Sequence, residues 1–354
     1  MKKHSKLFTR QVLAWYSRFG RHDLPWQLDI NPYRVWVSEI MLQQTRVNTV
    51  IPFFNTFMQH FPDVASLARA NIDEVLHLWT GLGYYARARN LHAASRIIMD
   101  RYAGRFPETL EAAMELPGIG RSTAGAILAI ARQQRYPILD GNVKRVLARF
   151  HGIRGWPGLA DVSRKLWELA DEYTPPVSVA EYTQAIMDLG ATVCIRKQPL
   201  CGQCPVEKQC VANQNNLQAE IPAPRPARKL PVHSTVFAIV ENQQGKILLQ
   251  QRPATGIWGG LWSFPECEPE KDLENWIRTN LGYALQSVEY KPSFRHTFSH
   301  FHLDITPVHI RVDAHTGQEV RDSGHEYWYA ATDKRPVGLA APVRQLLEQV
   351  TNPV

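Results

Sequence analysis

The sequence predicts a multidomain chain, an all-α domain closed by a cysteine-bearing loop and then a smaller α+β domain. Three observations predict it. Apolar residues recur three and four apart up to about residue 212, the period of a helix. Four of the five cysteines fall between Cys194 and Cys210. Beyond a proline-rich stretch at 213–231 the pattern changes to short alternating runs, the signature of strands. At 354 residues the chain exceeds one ordinary domain, and 44% hydrophobic content with ten tryptophans suffices for separate cores. The expected boundaries are a helical domain over 1–212, a linker over 213–231 and a second domain over 232–350.

The first helix is expected in MKKHSKLFTRQVLAWYSRF, where Leu7, Val12, Leu13 and Tyr16 share one side. This start has charges but no apolar core ending in small residues, so a secretory signal is not expected. No apolar run approaches the ~18–20 residues of a membrane span. A cytoplasmic, monomeric protein without a membrane partner is the expectation. The net charge of +7 and pI near 9.2 favour a polyanionic partner. Further helices follow, with apolar residues recurring at helical spacing in Leu67-Ala70-Val75-Leu78 and breaks at Gly20, Pro52, Pro62, Gly81-Leu82-Gly83 and Pro107.

PYRVWVSEIMLQQTRV, after Asn31-Pro32, reads as a helix whose Glu39 projects from a largely apolar face, with Val35 and Trp36 one turn before it and Leu42 one turn after. A carboxyl there has a raised pKa and suits a proton donor, unless Arg34 or Arg46 pairs with it. Residues 116–128, LPGIGRSTAGAIL, place two glycines in a tight bend between a helix over Glu111–Glu115 and one from Ser122 onward. Gly118 and Gly120 leave backbone N–H groups facing outward before a bare helix N-terminus, which suits a phosphate. A plain helix corner would share the pattern; the flanking Leu116 and Ile119 favour a helix-hairpin-helix that grips one DNA strand without reading sequence. Asp140, in ILDGNVKRVLARF, precedes a helix and is by itself an N-cap.

Four cysteines spaced Cys194-x6-Cys201-x2-Cys204-x5-Cys210 are a strong metal signal, and both structural zinc and a [4Fe–4S] cluster suit four sulfurs. Beyond the linker, HSTVFAIVEN and KILLQQR flank Gln243-Gln244-Gly245 as a hairpin, FHLDITPVHIRV alternates, and DLENWIRTNL and PVRQLLEQV read as helices.

WVSEIMLQQT, WTGLGYYARARNL, LPGIGRSTAGAIL and ILDGNVKRVLARF together resemble the MutY-type adenine DNA glycosylases, within the helix-hairpin-helix DNA glycosylase superfamily. The resemblance covers both domains. It implies removal of adenine mispaired with 8-oxoguanine or guanine from double-stranded DNA, with Glu39 protonating the adenine and Asp140 supporting the cation left on the sugar. It implies that Asn142 orients Asp140, that Trp26 and Gln184 line the adenine pocket, and that Gln44 and Tyr84 intrude into the duplex. Leu82, Tyr84 and Tyr85, followed by Arg87 and Arg89, fit an aromatic wedge with phosphate contacts. Superfamily members that also cut the strand carry a lysine where this chain has Ser122, so a monofunctional enzyme using water is implied. The cysteine spacing resembles the iron–sulfur loop of the endonuclease III and adenine glycosylase families, which implies one [4Fe–4S] cluster.

GGLWSFPE, residues 259–266, resembles the opening of a Nudix box, but ENWIRT at 274–279 stands where its carboxylate-rich helix belongs. A Nudix-like binding module without nucleotide hydrolysis is therefore expected, and the resemblance implies that Phe298, Ser299 and His300 read the 8-oxoguanine. Two other functions compete: a bifunctional endonuclease III-like glycosylase/lyase, and a non-enzymatic DNA-binding scaffold.

Overall fold

Asn31 starts the helix that carries Glu39. Its side-chain oxygen accepts from the Arg34 N–H at 3.0 Å, and Pro32 fills the first helical position, where no donor is needed. The helix runs Pro32–Leu42 in a computed structural model that describes residues 3–227, 229–268, 272–313, 325–333 and 335–351. The chain divides into two units, Met1–Arg69 with Asn90–Ala227, and Ala70–Arg89 with Arg228–Val354.

The first unit is helical. Pro32–Leu42 packs on Arg121–Arg132, which packs in turn on Val179–Asp188, and Lys3–Phe19 covers that last helix. Trp36, Phe54, Phe57 and Leu147 are fully buried among them. Phe8 stands edge-on to Phe150 at 4.7 Å and to Tyr173 at 4.9 Å, arrangements that suit the aromatic quadrupole. The hairpin expected at 116–120 joins Leu110–Met114 to Arg121–Arg132. Gly118 holds φ +80, and a Cβ there would also lie 2.9 Å from Asn90 Cβ, so glycine is required twice over.

The second unit is built on a mixed sheet of eight strands among the described residues: β1 Val232–Glu241, β2 Ile247–Gln251, β3 Trp262–Ser263, β4 Glu266–Cys267, β5 Leu285–Tyr290, β6 Phe294–Thr297, β7 His302–Val312 and β8 Glu326–Tyr329. Its central order is β3-β2-β1-β7-β5, with β4 on β1, β6 on β7 and β8 on β2. β1 and β7 run parallel from Val232↔His302 to Glu241↔Arg311. Helix Leu273–Leu281 seats Ile277 and Leu281 against Val236, Val240, Val308 and Ile310. Helix Ala341–Thr351 buries Val343, Leu346 and Leu347.

The division differs from the sequence expectation in two places. Residues 213–221 are packed in the first unit rather than extended: Val211–Gln214 is helical, Ile221 is 2% exposed, and Arg149 donates to the carbonyls of Gln218 and Ile221 at 2.8 Å. Residues 70–89 belong to the second unit. Trp262 Nε1 and Gln251 Nε2 donate to Asp73 at 3.4 and 3.3 Å, and Tyr85 Oη donates to Leu339 O at 2.8 Å. Helical periodicity predicts that Ile72–Leu78 is a helix, but not which core its apolar face joins.

Candidate active site

A cavity of about 840 Å³ in the first unit brings together Trp26, Glu39, Ser122, Asp140, Asn142 and Gln184 from five separate stretches of chain. Glu39 reaches it from the middle of its helix, otherwise enclosed by protein. Burial, and then the charge on Asp140, push its carboxyl up to about 8, so it holds a proton at neutral pH. Arg34, a possible partner, is turned away: it donates to Pro25 O at 2.8 Å and lies over the Phe54 ring.

Asp140 caps helix Gly141–His151, as its sequence context predicts. Oδ1 accepts from the Val143 N–H at 2.8 Å and Oδ2 from Asn142 Nδ2 at 3.1 Å. Burial raises its pKa, while these hydrogen bonds to the charged form oppose the rise. A carboxylate held by two donors is oriented toward the cavity and cannot turn away without losing both. Asn142 is fixed in turn, because its Oδ1 accepts from Arg145 Nη2 at 2.9 Å. Ser122 has a role that sequence reasoning missed. Its Oγ accepts from the Leu139 N–H at 2.9 Å, fixing the backbone immediately before Asp140.

Other groups in the wall were also not foreseen. Asp188, 3% exposed, accepts from Arg21 N at 2.8 Å and from Arg21 Nε at 3.0 Å, with Nη2 closing the pair. Helix Val179–Asp188 then widens into a π turn over Leu189–Val193, a device found often at functional sites. At Gly190 a Cβ would sit 2.5 Å from Asn142 Cβ and 3.0 Å from its Cα, so only glycine lets the two segments touch. A glycine followed by a cysteine-bearing loop is the only local hint of this contact.

Cys194, Cys201, Cys204 and Cys210 line a second, smaller cavity together with Arg149. Among the described residues no group of three or more His, Cys, Asp or Glu side chains is disposed to hold a single metal ion. Burial pushes the Cys204 thiol up to about 12 and raises Cys210. Thiolates here therefore need positive charge beside them. Arg149 supplies one, 3% exposed and wrapped by carbonyls, with Nη1 3.4 Å from Cys194 Sγ; Gln218 Nε2 lies 3.8 Å from Cys201 Sγ. Four sulfurs, two of them faced by N–H donors, suit an anionic iron–sulfur cluster.

Gln44 is exposed at the turn after the Glu39 helix and holds φ +59. In the second unit Tyr84 holds φ +52 and is 50% exposed. Left-handed backbone at non-glycine residues is costly and clusters at functional positions. Arg87 and Arg89, expected at phosphates, are placed otherwise. Arg87 is buried, stacks near Trp79 and Tyr84, and donates to Leu82 O and Gly83 O, because the tight turn leaves those carbonyls needing partners. Arg89 is half-buried and donates to Gly259 O at 2.6 Å. Gly120 caps its helix without a side chain and faces open space, as a phosphate grip requires. Phe298 stacks on Phe301 at 4.5 Å, leaving Ser299 and His300 exposed at the tip between β6 and β7. Glu266, the carboxylate that closes the GGLWSFPE stretch, is paired with Arg252.

Residues 37–172 match the HhH-GPD superfamily of base excision DNA repair proteins, and residues 235–349 match the NUDIX domain. With a helix-hairpin-helix beside a two-carboxyl cavity, the chain is a DNA N-glycosylase of that superfamily. It is 38% identical over 342 residues to the adenine DNA glycosylase of Buchnera aphidicola subsp. Acyrthosiphon pisum, covering 97% of both chains. It is 36% identical to the Homo sapiens adenine DNA glycosylase, over 87% of this chain and 68% of that one. A thermostable thymine-DNA glycosylase structure matches with a TM-score of 0.55 and 26% identity, over 60% of this chain and 98% of that one. The chain belongs to the adenine DNA glycosylase family.

Proposed function

We propose that this protein removes adenine mispaired with 8-oxoguanine or guanine from duplex DNA by hydrolysis, leaving an abasic site in an uncut strand. One observation carries the reading: a carboxyl raised to about 8, Glu39, shares its cavity with a carboxylate, Asp140, that is held by two donors. Breaking an N-glycosidic bond needs an acid for the departing base and a negative charge beside the oxocarbenium-like sugar, and two carboxyls with divided pKa values supply both. The target base must leave the stack to reach them. Trp26 and Gln184 receive it, and Gln44 and Tyr84 enter the space it vacates. Gly118 and Gly120 hold a phosphate. Phe298, Ser299 and His300 read the 8-oxoguanine opposite.

Ser122 carries no amine to form an imine with the sugar, and its hydroxyl is engaged by Leu139, so water completes the reaction. Cys194, Cys201, Cys204 and Cys210 hold one [4Fe–4S] cluster, which stiffens a loop rich in Arg and Lys. The protein acts as a monomer in the cytoplasm.

The test is incubation with a duplex containing one A·8-oxoguanine pair. Free adenine with a strand that breaks only after alkali is the expected result. Immediate scission would assign a lyase, and unaltered DNA in a stable complex would assign a scaffold; either overturns the proposal.

A further inference from the structure

Trp258 holds a left-handed backbone conformation, φ +51, which a bulky L-residue keeps only where its surroundings over-determine it. The turn around it does so. Gly260 N donates to Pro253 O at 2.9 Å and Leu261 N to Trp258 O at 3.0 Å. Arg252 lies across the indole, 5.8 Å from its centroid, and donates from Nε to Ile257 O at 2.8 Å. None of the base-release chemistry uses this residue.

The half-buried indole meets the Phe298 ring at 5.2 Å and the His296 ring at 5.4 Å, so it backs the loop that carries Ser299 and His300. The residue next to it serves a different segment. Gly259 O accepts from Arg89 Nη1 at 2.6 Å, and Arg89 follows the turn that presents Tyr84. That turn is itself braced, with the Arg87 guanidinium 5.6 Å from the Trp79 ring and 5.4 Å from the Tyr84 ring. One short turn, 253–261, thus holds the Phe298 loop on one side and the Tyr84 segment on the other, all within the second unit.

We propose that Trp258 is a positioning residue for lesion recognition, fixing the Phe298–His300 loop relative to the Tyr84 turn so that both engage the duplex as one body. The inference rests on the reading of Phe298–His300 as the 8-oxoguanine contact and of Tyr84 as the intruding residue. Trp258 touches neither adenine nor the reacting sugar in this scheme. Its loss therefore blunts discrimination and leaves base release from A·G duplexes as it was.

The experiment compares single-turnover adenine release from A·8-oxoguanine and A·G duplexes by wild type, Ser299→Ala, Trp258→Ala, Trp258→Leu and Trp258→Phe. Trp258→Ala and Trp258→Leu are each expected to lower the ratio of the two rates about tenfold, the scale of a lost aromatic contact, through the 8-oxoguanine rate alone. Trp258→Phe, which keeps a ring against Phe298, restores most of the ratio. Amide exchange over residues 297–301 should quicken in Trp258→Leu. If Ser299→Ala lowers the ratio while both Trp258→Ala and Trp258→Leu leave it unchanged, the positioning role fails and the reading of the loop stands. If Ser299→Ala leaves it unchanged, the loop reading itself fails. Equal loss on both duplexes would reduce Trp258 to general stability and also overturn the proposal.

Discussion

Arg145 and Asn142 connect the Asp140 carboxylate to the cysteine loop. The guanidinium donates to Asn142 Oδ1 at 2.9 Å and to Cys194 O at 2.6 Å, while Asn142 donates to Asp140 at 3.1 Å. The loop therefore sets the orientation of a carboxylate that no cysteine touches. Outer-shell groups that orient metal ligands cost ~10–100-fold when removed, and a group that orients a carboxylate is expected to act on the same scale. Arg145→Met should lower single-turnover adenine release by about that range. The ~400 nm absorbance of the proposed cluster should persist, since Arg149 Nη1 still faces Cys194 Sγ at 3.4 Å. A full rate in the variant would mean that Asp140 needs no help from the loop.

Glu39 gives the pH dependence a sign. In its proposed role as proton donor it must be protonated, so base release should decline as pH rises through about 8. Asp140 must be charged, so release should also decline on the acid side. Glu39→Gln should lose about 10²–10⁴-fold and with it the alkaline limb. Stability moves in the same direction, over a lower window. Between the ordinary 4.5 and about 8 the folded state holds a proton that the unfolded chain has lost, so this carboxyl costs stability increasingly as pH rises across that window. Thermal melts should find Glu39→Gln more stable than wild type above about pH 8 and equal to it near pH 4.

Asp140→Asn separates capping from catalysis. Asparagine caps helices as well as aspartate does, so the helix Gly141–His151 and duplex binding should survive. The charge beside the sugar is lost, and electrostatic stabilisation of this kind is worth ~10²–10³-fold. Binding by gel shift with wild-type turnover would remove Asp140 from the chemistry.

Ser122→Ala leaves the Leu139 N–H without its acceptor next to Asp140. An unmet buried donor costs about 1–3 kcal/mol. The denaturant midpoint should fall accordingly, with the strand still uncut in the product. An unchanged midpoint would mean that another acceptor replaces Oγ.

Much of this site was legible because its signals are local. Glu39 stands out against the apolar period of its own helix, Asp140 against the cap position it fills, and the four cysteines by their spacing. The hairpin at 116–120 is legible because tight turns demand glycine. What was not legible depends on residues far apart in the chain. Arg21 and Asp188 are 167 positions apart, and neither has a neighbour that hints at the pair. Arg87 and Arg89 read as phosphate contacts until the turn carbonyls and Gly259 claim them. Residues 70–89 read as one more helical stretch, and only the contacts of Asp73 and Tyr85 assign them to the second unit.

Gly190→Ala tests the closest approach in the cavity wall. The added methyl would lie 2.5 Å from Asn142 Cβ and 3.0 Å from Asn142 Cα, and backbone on that side cannot be relieved by a rotamer change. The Asp140–Asn142 turn must therefore shift by a fraction of an ångström or more. Alanine suits a helical turn better than glycine, so local propensity does not oppose the change. The expected result is a folded protein with four cysteines in place and duplex binding retained. Base release should fall by up to about 10²-fold, the scale set by misplacing a catalytic group by an ångström. Measured single-turnover rates should drop without a matching loss in melting temperature. A parallel loss of both would assign Gly190 to packing alone.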